Sequence, residues 1–196
     1  MSEPNYYWDS CVFNRYLTEI PPDNLDDIDA FMEDAKKGLC HIYFSTFTFV
    51  EIRQNSLKKK GVLSVRDFFK DMASAFIPIE PNPNILIAAG ELRDAEPTNP
   101  SDAKTQNKRV IGSVDAIHLM TCCYARDVLG IDGIIFHTFD EGRGKSWEGK
   151  CVPIIGFEKW FPPATRTPRV TEVCNLPRSK PIHTSPAFHR KMAPAG

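Results

Sequence analysis

Short apolar runs alternate with segments of helical period along most of this chain, and that alternation limits the folds open to it. "YYWDSCVF" at 6–13 reads as a buried strand, "CHIYFSTF" at 40–47 as a second and "FIPIEP" at 76–81 as a third. "GIIFHTFDEG" at 133–142 reads as a fourth strand ending in a turn, and "CVPIIGF" at 151–157 as a last one. Between the first two lies "NLDDIDAFMEDAKKG", with apolar residues at 25, 28, 31, 32 and 35, acids at its start and Gly38 at its end. Helices are also predicted from Thr48 to near Gly61, over 65–76, over 82–96 and over "GSVDAIHLMTCCYARDVLG" at 112–130. Strands alternating with helices predict an α/β fold with a mainly parallel central sheet, covered by helices on both faces. Such sheets bind ligands beyond the carboxyl ends of their strands.

With 196 residues the chain can bury a sizeable core, and 42% hydrophobic and 25% charged residues are values of an ordinary globular protein. Its net charge of -1 excludes a global positive field, so any nucleic-acid surface must be local. No apolar run reaches the roughly 20 residues of a membrane span, and "MSEPNYYWDS" lacks the marks of a signal peptide. The six cysteines form no CxxC pair, which predicts reduced thiols and a cytoplasmic location. Cys122 and Cys123 read as small core residues. From Pro162 the composition changes: seven prolines and six Lys/Arg, with Glu172 the only acid, fall within 35 residues. We read 1–161 as one domain and 162–196 as an irregular, basic tail.

Four acids take equivalent places in this layout: Asp9 at the end of the first strand, Glu51 and Asp115 in first turns of helices, and Asp140 after the fourth strand. A parallel sheet would bring all four to its carboxyl edge. Each also has a local reading. Thr48 to Glu51 fits a capping box, Asp115 suits a helix N-terminus with Ser113 as cap, and Asp140 and Asp9 suit turns. Two unit charges about 4 Å apart repel by roughly 4 kcal/mol at an effective dielectric near 20. A cluster of four carboxylates therefore needs a cation or must take up protons. Oxygen-only ligands suit Mg²⁺ or Mn²⁺. His118 and His137 read as structural residues of a helix and a strand, and Tyr6, Tyr7 and Trp8 as strand-core packing.

"YYWDSCVF", "STFTFVEI", "SVDAIHLMTC" and "IIFHTFDEG", in this order, resemble the PIN-domain nucleases, which include the VapC-type toxins of toxin–antitoxin pairs. The resemblance covers about residues 5–157. It implies an α/β/α sandwich and a Mg²⁺- or Mn²⁺-dependent endoribonuclease. Asp9, Glu51, Asp115 and Asp140 would be its catalytic and metal-holding acids, with Ser10 and Thr138 in supporting places beside the first and last of them. As implied partners it gives RNA, a small antitoxin protein and a second copy in a homodimer. The loop at 97–108 and the residues after 161 make this chain longer than a compact toxin.

An acidic pocket needs cations to hold RNA, and Lys108, Arg109, Arg143 and Lys145 lie beside Asp115 and Asp140 in sequence. They read either as phosphate contacts or as solvated loop charges. Trp147 and Trp160 are placed near the cleft or its rim. The main alternative is a non-catalytic PIN-like module binding RNA or a protein. An aspartyl phosphatase is disfavoured because Cys11 stands where its second Asp belongs, and no GxGxxG or P-loop supports nucleotide binding.

Overall fold

A computed structural model describes residues 3–57, 60–98, 109–142 and 150–184. Its centre is a five-stranded parallel sheet: β1 (Asn5–Trp8), β2 (His41–Ser45), β3 (Phe76–Ile79), β4 (Ile135–His137) and β5 (Arg178–Ser179), in the spatial order β3-β2-β1-β4-β5. The helices are α1 (Ser10–Thr18), α2 (Leu25–Lys36), α3 (Thr48–Glu51), α4 (Gln54–Leu57), α5 (Val65–Asp71), α6 (Pro83–Arg93), α7 (Ser113–Asp127) and α8 (Pro168–Cys174).

The alternation of β1 sends its side chains to two separate cores. Trp8 joins Val12, Phe13, Phe31, Phe44 and Phe68 under α1, α2 and α5. Tyr7 joins Ile85, Leu119, Phe136, Val170 and Phe157 under α6, α7 and α8. The α/β sandwich expected from the sequence is therefore present, with helices on both faces of the sheet. No helix among the described residues is long and apolar enough to cross a membrane.

The chain runs outward from β1 to β2 and β3, then returns to place β4 on the other side of β1. The strand order thus reverses between β1 and β4. In a parallel sheet the loops leaving two such strands part to opposite faces and open a crevice at their carboxyl ends. Asp9 follows β1 directly and Asp140 follows β4.

Four expectations need correction. The first strand stops at Trp8; residues 10–13 belong to α1, because Asp9 accepts the Ser10 N–H as N-cap and starts a helix. The helix expected from Thr48 to Gly61 is two single turns, α3 and α4, separated by the extended Ile52. "CVPIIGF" is no ladder strand: Cys151 makes one isolated bridge to Val110, and Pro153 and the left-handed Gly156 interrupt the run. The irregular reading after Pro162 fails over 163–179, which contains a 3-10 turn at Pro163–Thr165, α8 and β5. Thr167 caps α8, Pro168 opens it, Val170 and Val173 bury its apolar side in the core, and Leu176 after the helix joins them.

Candidate active site

Asp9 and Asp140 are each positioned by a device of their own segment together with a donor from a distant one. Asp9 sits between β1 and α1, 4% exposed, and its carboxylate accepts three hydrogen bonds. The donors are Ser10 N–H at 2.7 Å, the Cys11 thiol at 3.1 Å and the Thr138 hydroxyl at 2.8 Å. Thr138 also accepts the Asp140 N–H at 3.1 Å, so one hydroxyl ties the first acid to the last. Asp140 receives Gly142 N–H on Oδ1 at 2.9 Å and Ile154 N–H on Oδ2 at 3.1 Å. The turn reading of Asp140 is thus correct, and the same turn fixes its carboxylate. Gly142 has φ +68, and a Cβ there would stand 3.0 Å from the Pro153 ring, so a side chain at this position would be strained and crowded.

Asp115 lies in the first turn of α7, whose N-cap is Gly112 and not the expected Ser113. Its carboxylate folds back over Gly112, where an added Cβ would meet Oδ2 at 2.2 Å. Burial raises its pKa to about 7, and the negative charges of Asp9, Asp140 and Glu51 push the same way, against a lowering by His118. This coupling is the electrostatic signature of converged acids.

The capping box at Thr48 does not form. The Thr48 hydroxyl is buried with no hydrogen-bond partner among the described residues, and Glu51 turns instead to His118. His118 Nε2 lies 2.7 Å from Glu51 Oε2 and 3.9 Å from Asp9 Oδ1. A carboxylate only accepts, so Nε2 carries a proton. On the other side of the ring, Nδ1 pairs with the Tyr7 hydroxyl at 3.0 Å. Burial lowers the His118 pKa, but the Glu51 hydrogen bond and the charges of Asp9, Glu51 and Asp115 outweigh it and leave a net rise.

His118 and Cys11 are the site residues that sequence reasoning missed, along with the contact that the Tyr7 hydroxyl makes to His118 from the core. For His118 a signal existed: three residues after Asp115, it shares that acid's helix face. His137, by contrast, is structural as expected. It stacks on Tyr6, its Nδ1 has no partner among the described residues, and burial lowers its pKa to about 3. Trp8, Tyr7 and both Cys122 and Cys123 are core residues, as read from the sequence.

The four acids line one open cleft of about 1100 Å³, together with Ser10, Cys11 and Asp115's neighbour Val114. The expected basic contacts are largely out of view, since Lys108, Arg143 and Lys145 lie outside the described residues, as does Trp147. Arg109 does not line the cleft; its Nη1 donates to Cys151 O at 3.0 Å and its guanidinium lies 4.7 Å from the Trp160 ring centroid. Trp160 itself is buried in the core. All six cysteines are free thiols.

An all-oxygen donor set that leaves Asp115 half-protonated near neutrality fits a hard divalent cation chemically. Among the described residues, however, no three His, Cys, Asp or Glu side chains already stand as a metal-holding group. The carboxylates of Asp9, Glu51 and Asp140 are turned toward protein donors. The fold and the cleft define an α/β protein with converged acids at the carboxyl edge of a parallel sheet. Neither a protein-family model nor a curated protein matches the chain.

Proposed function

We propose that this chain is a PIN-type, metal-dependent endoribonuclease. The observation that carries the reading is the convergence of Asp9, Glu51, Asp115 and Asp140, from four separate segments, on one cleft where burial and the other three acids raise the Asp115 pKa. These acids would hold Mg²⁺ or Mn²⁺. When bound, the ion supplies an activated water and neutralises charge on the scissile phosphate.

The chain's own groups do the rest. Ser10 N–H and Thr138 fix the Asp9 carboxylate, and the Gly142 and Ile154 amides fix that of Asp140. His118, oriented by Tyr7, holds Glu51. Burial and the neighbouring acids raise the Asp115 pKa to about 7 in the cation-free cleft, and a bound cation would favour its ionised, ligating form. In a toxin–antitoxin setting, a small protein covering this cleft would inhibit the enzyme. The working form would be a cytoplasmic homodimer.

The engagement of the acids by protein donors favours a second reading, a non-catalytic module of the same fold. One experiment separates the two. Purified protein is incubated with a mixed RNA pool with and without Mg²⁺ or Mn²⁺, beside Asp9→Asn. Cleavage that needs the metal and falls by about 10²- to 10³-fold in the folded variant is the expected result. Full activity in Asp9→Asn would sink the assignment, and no cleavage with no Mn²⁺ binding would leave the non-catalytic module.

A further inference from the structure

Resting on the ribonuclease reading, we propose that Arg15 and Arg53 are the phosphate-gripping cations of the cleft. Both line it together with the four acids. Arg15 leaves α1 and lays its guanidinium 3.5 Å from the ring centroid of Phe139, the residue between Thr138 and Asp140. Arg53 is exposed and follows Glu51 by two positions, in the break between α3 and α4.

Neither arginine pairs with a carboxylate among the described residues, although the cleft is rich in them. Among the described residues the Arg15 side chain makes one hydrogen bond, from Nη1 to Asp23 O at 3.1 Å. A guanidinium carries five N–H donors in a planar fork, so most of that fork remains open. Stacking on Phe139 holds the plane in place, which lowers the entropy cost of forming a bidentate phosphate contact. The position is also the one the chemistry requires. Four carboxylates repel a polyanion, and cations beside Asp140 and Glu51 would offset that repulsion on the phosphates flanking the cut.

The test uses a short fluorescein-labelled oligouridylate and the full chain, with Ca²⁺ present to fill hard-oxygen sites, and reads anisotropy across KCl concentrations. Arg15→Gln and Arg53→Gln should each weaken binding about tenfold. Each should also flatten the slope of log Kd against log salt by about 0.7, the single-strand value for one lost phosphate contact, and do so equally for oligoadenylate. Phe139→Leu should weaken binding while leaving the slope unchanged, because the charge remains. Arg53→Gln carries the test alone if the Arg15 variant unfolds through loss of its Asp23 contact. Unchanged affinity and slope in a variant, while the wild type binds and cleaves RNA, would overturn the grip and leave the ribonuclease reading intact. Arginine-dependent binding of a polyglutamate peptide, with no RNA binding, would overturn it in favour of an acidic protein segment. Absence of both RNA binding and metal-dependent cleavage would overturn the underlying reading as well.

Discussion

The two faces of the sheet are filled by different chemistry. Under α1, α2 and α5 the contacts are ring on ring: Phe13 meets Trp8 and Phe44 at 5.5 Å and Phe76 at 5.1 Å. Under α6 and α7 the core contains a polar line from Tyr7 through His118 to Glu51. Ring pairs have a preferred edge-to-face geometry, but most of their stabilisation is non-directional burial, so the first face contributes mainly burial. Buried hydrogen bonds demand direction, so the second face sets the orientation of groups that reach the cleft. Removing a ring should therefore cost stability, and removing a polar atom should cost less stability but disturb the acids.

The largest stability effect belongs to the aromatic face. Phe13 is fully buried between Trp8, Phe44, Phe69 and Phe76. Phe13→Ala should destabilise by about 3–5 kcal/mol, from lost transfer energy and the cavity left behind. Urea unfolding measures it; a loss below about 1 kcal/mol would mean that this face is loosely packed.

The next effect comes from the cleft and has the opposite sign. Asp115 titrates near 7 in the folded chain and near 3.9 unfolded. Between those values the folded state holds a proton that the unfolded state lacks, so stability falls as pH rises and the full penalty is present above about 7. Asp115→Asn should thus stabilise the cation-free protein by about 2–4 kcal/mol at mildly alkaline pH, and by little near pH 4. His137 gives a background slope of opposite sign. Its folded pKa of about 3 means that acid stabilises the unfolded state as pH falls below 6.5. Urea midpoints of wild type and variant, compared across pH in EDTA, isolate Asp115. Parallel profiles would show that neither burial nor the other acids shift its carboxyl.

This contrast also explains what the sequence disclosed. The acids were legible because each stands where an apolar run gives way to a turn or a helix start, and a parallel sheet gathers such points at one edge. The boundary at Trp8 was not, because Val12 and Phe13 extend the apolar run; Asp9 as N-cap was the overlooked signal. The two-residue β5 has no alternation to read, and its pairing with β4 rests on backbone bonds such as Thr138 N–H to Ser179 O at 3.0 Å. The Tyr7 to His118 link spans 111 positions, so no local pattern announces it.

The smallest effect concerns that link. Tyr7→Phe removes one oxygen from a fully buried site and leaves the packing area nearly unchanged. His118 Nδ1 then loses its partner, which should cost about 1–3 kcal/mol. The ring would also lose the contact that orients its Nε2 toward Glu51. If the polar face serves orientation, Tyr7→Phe should lower metal-dependent RNA cleavage more than its loss of stability explains, measured well below the unfolding temperature. Phe13→Ala, matched to it by working at a temperature of equal folded fraction, should not. Equal activity losses in the two variants would show that both faces act only through stability, and that Tyr7 is one more core ring.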